Sequence, residues 1–111
     1  MAPSLGMGMG IDKQAYINRD INVITPNENT VWTQGQTYTI VWVPGGETGS
    51  ITIKLYKAGS AVVKIANSTA NDGSYSYQVA ADQTVGTDYQ VRVYKDSDNG
   101  DYSSFFEVEA S

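Results

Sequence analysis

The sequence predicts an all-β protein, an antiparallel β-sandwich of about seven strands. Three observations indicate this class. Only 17% of the 111 residues are charged, whereas Tyr, Thr, Ser, Gly and Val, which favour strands and turns, are abundant. Apolar and polar residues alternate with a period of two along most of the chain. Clusters of Gly, Pro, Asn and Asp separate these segments at intervals of about 8 to 15 residues, which leaves no room for crossover helices.

Seven segments alternate in this way and are predicted to be half-buried strands of a single domain over residues 21–111. The alternating apolar and aromatic residues are, in chain order, Ile21 and Val23; Tyr38, Ile40 and Trp42; Ile51, Ile53 and Leu55; Val63 and Ile65; Tyr75, Tyr77 and Val79; Tyr89, Val91 and Val93; Phe106 and Val108. Antiparallel strands of this length and spacing, joined by short turns, predict an immunoglobulin-like or fibronectin III-like sandwich.

Residues 1–20 form an N-terminal leader with a different pattern. Leu5, Met7, Met9 and Ile11 alternate with glycine, so an extended backbone would place all four apolar side chains on one face. Such a strip suits β-strand addition, in which apolar side chains fill pockets and the main chain pairs with an exposed strand edge. We predict that the leader pairs with its own domain or with a neighbouring copy, and the second arrangement can generate a filament. The alternative is a terminus with no fixed partner.

Charge and composition exclude several function classes. The net charge is −5, and the seven basic residues are scattered along the sequence without an evident stripe, so neither nucleic acid nor an anionic membrane is an expected partner. No apolar run reaches the roughly 18 residues of a membrane span. Cysteine and histidine are absent, which excludes disulfides, thiolate or imidazole metal sites and the usual nucleophile and base pairs.

Carboxylates are the remaining candidates for catalysis. A glycosidase needs two carboxyl groups about 5 to 10 Å apart, and Asp82, Asp88, Glu107 and Glu109 are available. Glu107 and Glu109, however, alternate with apolar residues of the last strand and are predicted to face solvent. A domain of this size has little room for a substrate cleft, so we predict that the protein is not an enzyme.

The densest group of oxygen ligands is the loop from Asp96 to Asp101. Asp96, Asp98 and Asp101 are hard anionic ligands of the kind that calcium prefers. The loop departs from the EF-hand pattern because Gly100 is its fifth residue and strands, not helices, flank it. The favoured interpretation is a solvated hairpin turn between the last two strands, and no cofactor is predicted, with calcium as the alternative.

One modification motif is present. Asn67, Ser68 and Thr69 form an N-glycosylation sequon. Its position just after AVVKIA predicts an exposed loop that could carry a glycan.

Several segments together resemble a known family. The runs ITPNENTVWTQGQTYTIVW, GSITIKLYK, DGSYSYQV, GTDYQVRVY and DYSSFFEVEAS are similar to the N-terminal immunoglobulin-like domain of the fungal Kre9/Knh1 family, which includes Ser/Thr-rich, GPI-anchored cell-wall proteins. The resemblance covers roughly Ile21 to Ser111. It implies an extracellular, wall-associated β-sandwich, linked in fungi to β-1,6-glucan assembly, without established catalytic residues.

These observations lead to two functional hypotheses. The first is a non-catalytic extracellular module of a cell wall, matrix or surface filament that assembles with other copies of itself. The alternative is a carbohydrate-binding module of the β-glucan type, in which exposed aromatic rings stack on sugars. The candidate rings are those of Trp32, Tyr75, Tyr77, Tyr94 and Tyr102. The favoured interpretation of Trp32, Trp42 and the Tyr-rich strands, however, is packing in the core and between strands.

Overall fold

A computed structural model describes residues 20–46 and 49–111 of the chain. Within these ranges every regular element is a β-strand. No helix there is long and apolar enough to span a bilayer. The strands are β1 (Asn22–Thr25), β2 (Val31–Thr33), β3 (Thr37–Val43), β4 (Ser50–Lys57), β5 (Ser60–Ala70), β6 (Ser74–Gln78), β7 (Gly86–Asp96), β8 (Asn99–Tyr102) and β9 (Phe106–Glu109).

The strands form two sheets that enclose one core. The smaller sheet has the order β1-β3-β6, and the larger has the order β2-β9-β7-β4-β5, with β8 added beside β7. Neighbouring strands are antiparallel except β2 and β9, which are parallel. The predicted all-β sandwich is confirmed.

The core follows the period-two pattern of the sequence. In β4, Ile51, Ile53 and Leu55 are at most 1% exposed, while the residues between them are only half-buried. Each fully buried aliphatic side chain contributes about 1.5 to 3 kcal/mol of burial free energy. The core consists of Ile21, Trp32, Ile40, Trp42, Ile51, Ile53, Leu55, Val79, Tyr89, Val91, Val93, Phe106 and Val108.

Two short strands lie outside the seven predicted segments. β2 has three residues and pairs with β9, and β8 has four residues, including Gly100 and Asp101, and pairs with β7. Neither is long enough to display an alternating pattern, and Gly and Asp have low strand propensity. Their strand conformation therefore depends on the longer strands beside them.

The sequon lies in a strand and not in the predicted loop, although Asn67 is exposed as expected. Ile51 of β4 pairs with Thr69, but Ile53 pairs with Ala66, so β5 contains one extra residue between these two pairs. Ser68 adopts a positive φ of 64° at this bulge. Because the bulge holds the extra residue without ending the pairing, the strand continues through a polar segment that resembles a loop in sequence.

Candidate ligand-binding face

The outer surface of the larger sheet carries an aromatic and basic cluster. Core residues of β4 and β7 face inward, so the intervening side chains Lys54 and Tyr56 of β4 and Arg92 and Tyr94 of β7 face outward. Register places Lys54 opposite Arg92, and Arg92 opposite Tyr102 of β8. We call these five residues the tyrosine-cation face.

Arg92 is the centre of this face. Its guanidinium carbon lies 4.0 Å from the centroid of the Tyr94 ring and 5.1 Å from that of Tyr102. One guanidinium nitrogen donates a 3.3 Å hydrogen bond to the Tyr56 hydroxyl, and the Tyr56 and Tyr102 rings meet edge to face at 5.2 Å. Lys54 Nζ lies 5.8 Å from the Tyr94 ring centroid. Cation-π and ring contacts of this kind contribute about 0.5 to 1.5 kcal/mol each.

The electrostatics of the face follow from this packing. Burial raises the pKa of Tyr56, but the hydrogen bond from Arg92 and the positive charges of Arg92 and Lys54 outweigh it, so the pKa lies below its ordinary value. The pKa of Tyr102 is raised, first by burial and then by its hydrogen bond with Tyr56. Burial lowers the pKa of Arg92, but the hydrogen bond to Tyr56 and the interactions with Tyr102, Tyr56 and Tyr94 together outweigh this, and the net shift is upward. The guanidinium therefore stays charged.

The rings remain accessible although they are held in place. Tyr102 is 46% exposed, and the other four residues of the face are half-buried. A guanidinium has five N–H donors, so Arg92 keeps donors beyond the one that it gives to Tyr56. An array of fixed rings and free donors on a sheet surface can stack on apolar sugar faces and donate hydrogen bonds to hydroxyl or acidic groups.

Comparison with known proteins identifies the family. Residues 25–108, most of the chain, match the Kre9/KNH-like N-terminal Ig-like domain. The chain belongs to this family. Among solved structures, it is similar to the fibronectin(III)-like modules of CbhA from Clostridium thermocellum, with 16% identity over 81% of this chain and 93% of that chain and a TM-score of 0.46. No curated protein matches the sequence.

The aromatic residues predicted from sequence do not form one group in this Kre9/KNH-type domain. Tyr94 and Tyr102 belong to the tyrosine-cation face. Tyr75 and Tyr77 lie on β6 in the other sheet and pack half-buried against the core, where burial and then the neighbouring Tyr89 raise the pKa of Tyr77.

Trp32 requires a correction. It is 2% exposed, and its ring stacks on Tyr38 at 5.6 Å and meets Phe106 at 4.7 Å. Its position in the core of the Kre9/KNH-type domain leaves no face of the indole available to a sugar.

Sequence reasoning missed Lys54, Tyr56 and Arg92. The signal was present, because the alternating apolar residues of SITIKLY and DYQVRVY place the residues between them on the opposite face of each half-buried strand. What the sequence did not provide was the register of β4, β7 and β8, which brings these outward side chains together.

The acidic loop of this Kre9/KNH-type domain forms the hairpin turn between β7 and β8. Asp96 accepts hydrogen bonds from the backbone N–H groups of Asp98 and Asn99 and from the Asn99 side chain, and the pKa of Asp96 is lowered by the same contacts. Asp101 accepts a 2.8 Å hydrogen bond from the backbone N–H of Val23. In the described part of the chain, no three acidic residues are grouped so that they could hold a metal ion. A solvated turn without a cofactor stays the prediction, and calcium binding stays its alternative.

Two of the four candidate catalytic carboxylates of the Kre9/KNH-type domain have structural contacts. Asp88 forms an ion pair with Lys57, whose Nζ lies 3.1 Å from Oδ1 and 3.2 Å from Oδ2. Glu109 accepts a 2.9 Å hydrogen bond from the Thr33 hydroxyl, and Asp82 is exposed. The predicted assembly strand, Leu5, Met7, Met9 and Ile11, lies outside the described residues.

Proposed function

We propose that this chain is a non-catalytic module of an extracellular cell wall and that it holds polysaccharide on the tyrosine-cation face. The observation that carries the proposal is the contact of Arg92 with both the Tyr94 and the Tyr102 rings, together with the guanidinium N–H donors that remain beyond the one given to Tyr56. Membership of the Kre9/KNH family is consistent with a wall location. The absence of histidine and cysteine from the sequence supports a role in binding and not in catalysis.

Preorganisation is the physical reason to favour this face. A side chain that is already held in its bound rotamer loses less entropy when a ligand arrives, a saving of about 0.5 to 1.5 kcal/mol for each immobilised side chain. Arg92 and Tyr56 hold each other by a hydrogen bond, and Tyr102 is fixed against Tyr56. The face therefore combines exposed rings with restricted motion.

The test is a pull-down of the protein with insoluble β-glucan and other wall polysaccharides. Replacing Tyr94 or Tyr102 with Ala should weaken binding about tenfold, the effect of losing roughly 1.4 kcal/mol at a contact. Val43→Ala is the matched control, because Val43 is also 46% exposed but lies on the outer face of the other sheet. Binding of Tyr94→Ala and Tyr102→Ala at wild-type strength would contradict the assignment of this face.

A second candidate function is self-assembly through the leader strand Leu5 to Ile11. The outer face of the smaller sheet supports it, because Ile24, Val41 and Val43 are 36 to 46% exposed there and form an apolar strip on β1 and β3. Exposed apolar patches are common at contact surfaces. Electron microscopy of the intact chain and of a chain lacking residues 1–12 tests this idea: assemblies that form equally well without the leader would contradict it.

A further inference from the structure

The outer face of the larger sheet contains a row of cations that cannot be recognised in the sequence. Register places Lys64 of β5 opposite Lys54 of β4, and Lys54 opposite Arg92 of β7. These three side chains, which we call the cation row, therefore cross three adjacent strands at intervals of about 4.8 Å. They are three of the five basic residues in the described ranges, although the sequence separates them by 10 and 28 positions.

The cation row has an energetic cost in the free protein. Like charges directly opposite each other on a sheet destabilise the pairing of the strands. No carboxylate among the described residues forms an ion pair with Lys54 or Lys64, and the ring contacts of Lys54 and Arg92 leave both charges in place. The net charge of −5 shows that the chain has enough acidic residues to neutralise such a row.

The nearest acidic positions along β7 are remote from the cation row. Asp88 and Asp96 are each four residues from Arg92, which corresponds to about 13 Å along a strand. This distance exceeds the screening length of about 10 Å at 0.1 M salt. Asp88 is in addition paired with Lys57, and Asp96 accepts the hydrogen bonds of its own turn. On β8, Asp101 is adjacent to Tyr102, but its carboxylate is directed to the smaller sheet, where it accepts the hydrogen bond from the Val23 N–H. The acidic residues of β7 and β8 therefore do not neutralise the cation row, although the whole protein is acidic.

We propose that the polysaccharide held by this face is acidic, and specifically that it carries carboxylates on its sugar rings, as a polyuronate does. This inference rests on the proposed function of the tyrosine-cation face and specifies its ligand class. A polymer crossing the strands would meet Lys64, Lys54, Arg92 and then Tyr102 in succession. Ligand carboxylates would neutralise the row, and Arg92 has the planar set of donors that matches a carboxylate.

The alternation of tyrosine rings and cations on this face determines where the ligand must carry its acidic group relative to the stacked sugar ring. Tyr94 and Tyr102 contact the same guanidinium that would bind the anion, so a stacked sugar and its charged group must lie within one strand spacing of each other. A carboxylate attached to the sugar ring satisfies this condition. A phosphate in the linkage between sugars would displace the charge from the stacked ring.

Isothermal titration of the full-length chain with soluble polygalacturonate, a neutral soluble β-glucan and a phosphorylated mannan tests the inference. Polygalacturonate should bind about tenfold more tightly than the neutral glucan in dilute buffer, and the difference should shrink as salt screens the row. Lys64→Gln, which lies outside the tyrosine-cation face, should weaken polygalacturonate binding about two- to fivefold and leave binding of the neutral glucan unchanged. Lys54→Gln, within the face, should weaken polygalacturonate binding more than it weakens binding of the neutral glucan. Lys95→Gln is the charge-matched control outside the row, and we expect it to bind as the wild type does.

The possible outcomes separate this inference from the function on which it rests. Equal binding of neutral and acidic glycans, reduced by Tyr102→Ala but not by Lys64→Gln, would overturn the acidic ligand and keep the binding face. Equal or tighter binding of the phosphorylated mannan would overturn the assignment to ring carboxylates. If the folded protein bound none of the three, both proposals would be wrong.

Discussion

Replacing Tyr89 with Phe removes one hydroxyl from the centre of the fold while keeping the buried ring. Tyr89 is 0% exposed and packs against Phe106 near the beginning of β7. Its hydroxyl donates to the backbone carbonyl of Thr84 and accepts a 3.0 Å hydrogen bond from the Gln83 side chain. A tyrosine that bonds back to the chain a few residues upstream is the tyrosine corner of immunoglobulin-like sandwiches. The Tyr89 hydroxyl therefore holds the residues that precede β7, the central strand of the larger sheet, against the start of that strand.

The structure sets the magnitude of the effect. Each hydrogen bond contributes about 0.5 to 1.5 kcal/mol net, and two are lost. Phe retains the ring, so no large cavity forms and the cavity cost of a truncation to Ala does not apply. Both hydrogen bonds are partly buried, which limits how well water replaces the hydroxyl. We expect the free energy of unfolding to fall by about 2 kcal/mol, which lowers the melting temperature by roughly 8 to 16 °C in a domain of this size.

Guanidinium denaturation monitored by tryptophan fluorescence measures this effect, because Trp32 and Trp42 are both 2% exposed and report on the core. Tyr75→Phe is the matched control: Tyr75 is half-buried on β6, and its hydroxyl makes no hydrogen bond within the described residues. We expect this control to stay within about 0.5 kcal/mol of the wild type. A Tyr89→Phe protein that is as stable as the Tyr75→Phe control would refute the role given to the hydroxyl.

Two further predictions concern the hairpin of β7 and β8. A Cβ at Gly100 would lie 2.3 Å from the Cβ of Tyr94, so Gly100→Ala should separate β8 from β7 and destabilise the protein by about 1 to 3 kcal/mol. The NMR resonances of Tyr94 and Tyr102 should shift as the two strands separate. Ser97→Ala, at the turn, is the control and should cause none of these changes. The pKa of Asp96 is lowered in the folded state, mainly by the hydrogen bond from the Asp98 N–H and next by the one from the Asn99 side chain. The contribution of Asp96 to stability is therefore present above its unfolded pKa and is lost as pH falls through the folded pKa. Carbon-detected NMR of the Asp96 carboxyl should give a midpoint below the ordinary value for aspartate, and a midpoint at or above that value would contradict the turn geometry.

Alternation was sufficient to predict most of the core because each sheet has one face that packs against the other sheet. A strand in this position must place every second residue in the core, and a shift of one residue would expose the whole apolar set. Ile53, Leu55, Val91 and Val93 are all 0% exposed, as predicted. Trp32 departs from the expectation because it lies in β2, whose three residues are too few to show which face is buried.

The tyrosine-cation face could not be predicted in the same way because it depends on the alignment of separate strands. Alternation assigns Tyr56 and Arg92 to an outer surface but does not say that β4 lies beside β7, nor which residues stand opposite. Lys64 illustrates the point. The pairing of β4 with β5 has three register shifts, two on one side of Lys64 and one on the other, and only the resulting register places Lys64 opposite Lys54. A set of basic residues that is scattered in the sequence is therefore a continuous row in the sheet.

The face and the β7-β8 hairpin depend on each other. Tyr102 reaches Arg92 only because β8 folds back along β7, and Gly100 permits this by leaving room for Tyr94 across the pair. The turn that reverses the chain is held by Asp96, and Asp101 fastens the same hairpin to the backbone of Val23 in the smaller sheet. The acidic residues that suggested a calcium loop in the sequence thus help to position Tyr102 in the tyrosine-cation face. Substitutions that loosen the hairpin should weaken ligand binding even though they lie outside the cation row.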